Sequence, residues 1–471
     1  MKRYIFAVGM VAAFALPSCV KSPLVTEEKF INSPFAAKTW AQGVRRQLAQ
    51  TMNSLVVNAE LISDNYYNNY TSNSKVFDIP QIDYFDVDVN GTQAAIHRLR
   101  QMAYFGLNTV VPADTSATAS DKATMIFSQA FSYLLAGEMF VALPDSVEGK
   151  VLMAEEQLRK ALPLWDQAIA METTDSARLA YTLFKARTYY RLGDATNAST
   201  LATQLLNSKK LLFQVAFDGQ SGVGNAMQSA IALVSPSNFA PLPRLDFLDP
   251  KYFNVLAANV DQKPIPLAKA EEAYLILAEA QLAAGDLSTA RETLKTMLAD
   301  VVSQRGTYTI DDKTETRNGG NRNDYPLTAV KVKFDASDAP REGYVLDRKA
   351  ARVTVYGVSG TKVTAADLDA ATTADALLYT LYRLRQEIFI SEGRRMADLG
   401  IKFPVSQIEQ LNNPNVLPEH TQAQLPSFIP LNRGMDDFTT DPVDGTVTMK
   451  FDMNKVLVQN KTAKEIFPFI N

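Results

Sequence analysis

Between Pro266 and Arg305 the chain reads PLAKAEEAYLILAEAQLAAGDLSTARETLKTMLADVVSQR, and few folds accommodate that pattern. Ala270, Ala273, Tyr274, Leu277, Ala278 and Gln281 recur at helical spacing. Ala290, Leu294, Met297 and Leu298 do the same on a second arm. Between the arms stands Ala284-Gly285-Asp286. Glycine ends a helix by taking a left-handed position, and aspartate restarts one by capping the next turn. Ala278 and Ala290, small residues on either side of that turn, let the two backbones approach closely. The expected product is a helical hairpin over 266–305. Such a hairpin cannot bury its apolar face alone, so neighbours must stack on it.

The residues around Gly285 stand where a tetratricopeptide (TPR) hairpin of about 34 residues needs them. A second copy runs from Tyr181 to Leu206, within a hairpin over about 178–208, with Ala186, Tyr189, Gly193-Asp194 and Ala198 in matching places. A looser copy, over about 123–172, passes through Ala130, Tyr133 and Gly137 and returns along Leu158 to Ala170. The uneven spacing describes a helical scaffold threaded by insertions, and an ordinary bundle with Gly-Asp turns is the alternative. Further helices are expected over Phe35–Leu61, Gln93–Val111 and Ala374–Gly400. The longest insertion, 306–371, holds strand-like pieces at Thr328–Phe334 and Arg352–Val358, with a hairpin turn at Val358-Ser359-Gly360-Thr361. The expected fold class is mainly α: TPR-like hairpins in one large unit over 35–471, with long loops and a few short strands.

The N-terminus carries an address. Lys2 and Arg3 precede an apolar run from Tyr4 to Leu16, too short to span a membrane and suited to a secretory leader. The run ends in Leu16-Pro17-Ser18-Cys19, which resembles a bacterial lipoprotein box. On that reading residues 1–18 are a signal peptide, Cys19 is the lipidated first residue, and 19–34 are a tether. A plain secretory leader with an incidental cysteine is the alternative. Cys19 is the only cysteine of the chain, so no intramolecular disulfide can form. Acyl chains contribute about 0.8 kcal/mol per buried methylene, so two or three of them hold a protein on a bilayer without a spanning helix.

Charge and residue types narrow the chemistry. Lys plus Arg total 47 against 51 Asp plus Glu, with no basic tract, which argues against a nucleic-acid partner. His97 and His420 are the only histidines and lie far apart in sequence, which leaves little for catalysis; no enzyme activity and no cofactor are expected. Asp86-Val87-Asp88-Val89-Asn90-Gly91 opens like a calcium loop, but the twelfth position, where a carboxylate belongs, is His97; an acidic turn is the reading preferred, and no metal is expected. Asp218 to Gly224 is glycine-rich without the Lys-Ser/Thr ending of a phosphate loop, and reads as a turn. Trp165 shares helical spacing with Leu158, Leu162 and Ile169, which points to the core.

Three stretches resemble the SusD/RagB-like nutrient-binding lipoproteins of the outer membrane. They are PIPLAKAEEAYLILAEAQLAAGDLSTARETL, LYRLRQEIFISEGRRMADLG and FLDPKYF, Phe247 to Phe253. In the second, Arg394 occupies the place of a histidine in the family's Glu-Gly-His-Arg, and Asp398-Leu399 is kept. The resemblance implies an α-rich fold on TPR-like hairpins. It also implies a surface-exposed outer-membrane lipoprotein that lids a SusC-like TonB-dependent transporter, with glycans as the usual ligands. A TPR-type adaptor binding a protein segment, and a surface glycosidase, are the other function classes in view.

Ligand residues are sought where aromatic and amide side chains mix. SDNYYNNYTSNSK, Ser63 to Lys75, reads as an exposed tyrosine-rich loop. Tyr66, Tyr67 and Tyr70 could stack on the C–H faces of sugars while Asp64, Asn65, Asn68 and Asn69 bond hydroxyls; a solvated loop with locally packed tyrosines is the alternative. Arg317, Asn321, Arg322 and Tyr325 form a second candidate set. Arg383, Arg385, Glu387, Glu392, Arg394 and Asp398 are expected to make structural ion pairs and caps.

Overall fold

At Gly285 the backbone takes a φ of +82°, a left-handed conformation that costs glycine little. The helix Ala270–Ala283 ends just before it, and Leu287–Asp300 begins just after, capped by Asp286 accepting from the Thr289 amide at 3.0 Å. Gly193 repeats the turn at +73° between helices Asp175–Arg191 and Ala195–Leu205, with Asp194 as the cap. The third hairpin joins Ala119–Met139 to Ala154–Met171 through a two-stranded excursion, Ala142–Pro144 paired with Val151–Met153. The first two are the hairpins expected from the Gly-Asp turns; in the third, Gly137 lies within the helix and the strand pair makes the connection. The structure is a computed structural model that describes residues 27–70, 77–233, 237–253, 260–311, 320–350, 352–431 and 434–470. Cys19, the expected leader, the first half of the expected tether (19–26), residues 71–75 and Arg317 lie outside those residues, and the other half of the expected tether starts with a short helix, Glu27–Ile31.

The hairpins stack because their apolar faces have nowhere else to go. Ala186, Ala198, Ala278 and Ala290 are all buried, so the paired helices sit close. Between the Ala119–Met171 hairpin and the Gly193 hairpin the rings interlock: Phe127 stacks on Tyr181 with centroids 4.9 Å apart, and Trp165 on Phe184 at 5.4 Å. Trp165 is fully buried and donates its indole N–H to Thr188 Oγ1 at 2.9 Å, a core residue as its spacing suggested.

The first long helix, Ala36–Leu61, lies across this stack beside Val87–Phe105. The second of these begins earlier than its periodicity suggested, because Asp86 caps it by accepting from the Asp88 amide at 2.7 Å. Asp86 to Gly91 is therefore the start of a helix rather than a cation loop.

Helix Ala374–Phe389 stops eleven residues short of the expected Gly400. Ser391 and Gly393 adopt φ of +62° and +70°, turning the chain so that the Gly393 amide donates to Glu60 Oε1 at 2.7 Å. The Ser391 hydroxyl meets the Tyr66 hydroxyl at 2.7 Å in the same turn. Tertiary bonding to the first helix outweighs helical propensity here.

Strands are short and few among the described residues. Arg352–Tyr356 pairs antiparallel with Thr307–Asp311, not with a strand following Val358, so the expected hairpin turn at Val358–Thr361 does not exist. Of the expected strand Thr328–Phe334, only Val332–Lys333 is extended, alongside Val447–Met449, which in turn pairs with Phe438–Thr440. No helix among the described residues is long and apolar enough to cross a membrane.

Candidate functional site

Two segments singled out from the sequence, far apart in the chain, meet in space. Asn321 donates its backbone N–H to the Asn69 carbonyl at 2.8 Å and its side-chain amide to the Asn68 carbonyl at 2.5 Å. Gly320 permits the approach, since a Cβ there would press into the Asn69 side chain and carbonyl. The 64–70 segment is itself fixed from the other side. Tyr66–Asn68 forms a strand antiparallel to Phe239–Pro241, and the Tyr70 amide donates to the Asn238 carbonyl at 3.0 Å.

The described part of the expected exposed loop, 63–70, is therefore mostly core. Tyr66 and Tyr67 are buried, as are Asn65, Asn68 and Asn69, because strand pairing draws both faces of the segment inside. Asp64 is buried in an ion-pair cluster: Arg395 donates to it at 2.6 and 3.0 Å, Arg244 at 2.8 Å and the Gln386 amide at 2.9 Å. Burial alone would raise its pKa, but the Arg395 and Arg244 charges outweigh that and hold the carboxyl below its ordinary range. Asp64 is a structural anion with no edge to offer a ligand. Tyr325 is buried as well, its hydroxyl donating to Asp246 Oδ1 at 3.1 Å.

What these buried residues build is a floor. The rings of Tyr67, Tyr325 and Phe438 lie mutually 6.0–6.2 Å apart, and the Arg322 guanidinium covers Phe438 at 3.6 Å. Arg322 donates to both Asp324 oxygens and to Asp437 Oδ1, each at 3.0 Å, and to the Phe438 carbonyl. Its N–H groups hold the site together rather than facing outward. Tyr70, next to Asn69 in the chain, is 43% exposed, and Asn321, Asn323 and Asp324 are exposed as well. Of the residues expected to contact a ligand, Tyr70 and Asn321 are exposed. Asn323 and Asp324 are exposed beside them, and nothing in their spacing told them from other loop residues.

Beneath the same corner two carboxyl groups share a hydrogen bond. Asp78 accepts from the Asn68 amide at 2.7 Å and is bonded to Asp436. Burial lifts Asp78 to about 6, and burial together with the Asp78 charge pushes Asp436 well above its ordinary range. The histidines do other work. Burial, then the charge of Arg100, drives His97 down to about 3, so it stays neutral. His420 Nδ1 accepts from the Leu417 amide at 3.0 Å and closes a turn.

A concavity of about 650 Å3 opens elsewhere, where the Ala36–Leu61 helix passes the Ala119–Met139 and Asp175–Arg191 helices. Phe127, Tyr181, Phe213 and Phe217 line it, with Arg45 and Arg46 exposed at its side. It joins residues from four separate stretches, and no local pattern marked it.

The fold has solved counterparts. A SusD superfamily protein from Bacteroides fragilis matches with a TM-score of 0.55 at 13% identity, over 82% of this chain and 99% of that one. A putative sugar binding protein from Bacteroides vulgatus matches with a TM-score of 0.53 at 12% identity, over 81% of this chain and 96% of that one. A SusD-like carbohydrate binding protein from the same species matches at 0.50 and 12% identity, over 91% and 97%. No family model and no curated protein matches the sequence. The fold is thus mainly α and SusD-like.

Proposed function

We propose that this SusD-like chain is a non-catalytic binding protein that captures oligosaccharides on the surface around Tyr70 and Asn321. The observation that carries the reading is the pairing of an exposed tyrosine ring with exposed amide and carboxylate groups on a fixed floor. Aromatic faces pack on the apolar faces of sugar rings, while amides and carboxylates bond the hydroxyls. Two solved proteins of the same fold are described as sugar or carbohydrate binding, which supports the same class of ligand. In this proposal Cys19 is acylated, the protein sits on the outer membrane facing outward, and the captured glycan passes to a SusC-like TonB-dependent transporter.

Catalysis finds little support in the groups that titrate. His97 stays neutral within a helix, and Asp78 and Asp436 are in direct hydrogen-bond contact. A glycosidase pair stands about 5 to 9.5 Å apart. The adaptor reading has one observation in its favour, the aromatic cleft beside Arg45 and Arg46, which has the dimensions to take a peptide side of a partner. A screen of the purified protein against immobilised glycans separates these classes. Binding of one glycan class without release of products is the expected result; product formation would revive the glycosidase reading.

A further inference from the structure

Where the three hairpins meet the helix Ala374–Phe389 and the turn after it lies an ionic network with more cations than anions. Arg187 and Arg191 both donate to Glu138, and Arg191 continues to Asp398 at 3.1 Å. Arg385 forks onto Asp398 from the other side, and Arg394 pairs with Glu272. Three carboxylates therefore pair with four guanidiniums, all of them buried or nearly so; a fourth carboxyl, Glu279, lies buried near Arg385 with its pKa raised by burial and accepts from Tyr190 and Tyr382.

Lys402 adds a fifth cation. Its ammonium donates to the Gly137 carbonyl at 2.8 Å, and among the described residues no carboxylate lies within salt-bridge distance of it. Glu138, the anion whose field it feels, already accepts from Arg187 and Arg191. An ammonium has three donors, and a desolvated one is costly unless they find acceptors. Burial and the Arg191 charge bring Lys402 down to about 8, which leaves it mostly protonated at neutral pH.

The group is not sealed in. A cavity of about 500 Å3 opens over it, lined by Glu138, Arg191, Lys402, Gln424, Lys464 and Glu465 among others. Lys464 and Glu465 are both exposed at its rim and offset each other in charge. Gln424 is engaged elsewhere, its side chain donating to the Gly400 carbonyl at 2.7 Å. The cavity thus presents one incompletely bonded ammonium backed by a network with a cation excess. A cation would be repelled there, and a neutral sugar would leave the charge unanswered.

We propose that this cavity is an anion site, taking the oxyanion of a small acidic molecule, a carboxylate or a sulfate, against Lys402. It is separate from the Tyr70 surface and does not depend on what that surface binds.

The test uses the full chain and three probes: sodium sulfate, glucuronate and, as the neutral control, glucose. NMR of the lysine side-chain signals follows the titration of Lys402 in the unmutated protein. Sulfate or glucuronate is expected to bind saturably and to raise its midpoint by about one pH unit, while glucose leaves it in place. Response to sulfate alone identifies a free inorganic oxyanion, and response to glucuronate an acidic sugar. In Lys402→Met the anion affinity should fall at least tenfold. An unmoved midpoint with both anions overturns the proposal. So does a Lys402→Met protein that melts lower yet binds the anions unchanged, which would leave Lys402 a purely structural role. Should that variant fail to fold, the titration of the unmutated protein decides.

Discussion

Asp64 and Arg395 stand 331 positions apart in the chain, and the guanidinium grips the carboxylate at 2.6 and 3.0 Å inside the protein. That pair ties the end of the first long helix to the turn after the Ala374–Phe389 helix. Removing one member of a buried pair leaves the other charge uncompensated, which costs about 3–5 kcal/mol. Asp64→Ala is therefore expected to lower stability by that order, measured by urea unfolding. A change below about 1 kcal/mol would show the pair to be dispensable.

Gly285→Val tests the hairpin that organises the chain. The position has a φ of +82° and open space where a Cβ would stand, so the strain would come from the backbone alone. A β-branched residue there should cost about 1–3 kcal/mol without touching any ligand residue. An unchanged melting temperature would contradict it.

Acidity at the Asp78–Asp436 contact makes stability depend on pH. A carboxyl whose folded pKa is raised stabilises fully below its ordinary value near 4, and that contribution fades as pH rises through the folded value, about 6 for Asp78. Glu60, lifted by burial to about 7, adds a decline of the same sign. Asp78→Asn replaces the shared proton with an amide donor to Asp436. It should recover about 1–3 kcal/mol of the stability lost between pH 5 and pH 8, leaving the parts due to Glu60 and to the burial of Asp436. Equal pH slopes for the two proteins in urea titrations would contradict this.

Membrane attachment should rest on one atom. Cys19 is the only thiol, so Cys19→Ala is expected to move the protein from the membrane pellet to the soluble fraction on cell fractionation. A variant still wholly in the pellet would contradict the lipid anchor.

The parts of this fold that were legible in the sequence are those in which local rules and tertiary packing agree. Gly285-Asp286 and Gly193-Asp194 stop and cap helices by local chemistry, so both hairpins could be read directly. Arg385, Arg394 and Asp398 were recognisable as structural because charges so dense in one short stretch need partners. The Tyr66–Asn68 segment failed for the opposite reason. Its composition is that of a loop, and only pairing with Phe239–Pro241, more than 170 residues later, makes it a buried strand. Burial of Asp64 likewise depends on Arg244, Gln386 and Arg395, none of them near in sequence. The meeting of Asn68 with Asn321 had no local signal at all.

Whether the Tyr70–Asn321 surface holds an oligosaccharide is decided by isothermal calorimetry with the best glycan from the screen. Tyr70 is exposed and Asn321 lies at the rim, so Tyr70→Ala should leave the thermal melt nearly unchanged. Loss of an aromatic contact of this kind costs about 2 kcal/mol, so the expected affinity of Tyr70→Ala is roughly thirtyfold weaker at an unchanged melting temperature. Equal affinity in the two proteins, or no saturable binding of any glycan by the unmutated one, would contradict it.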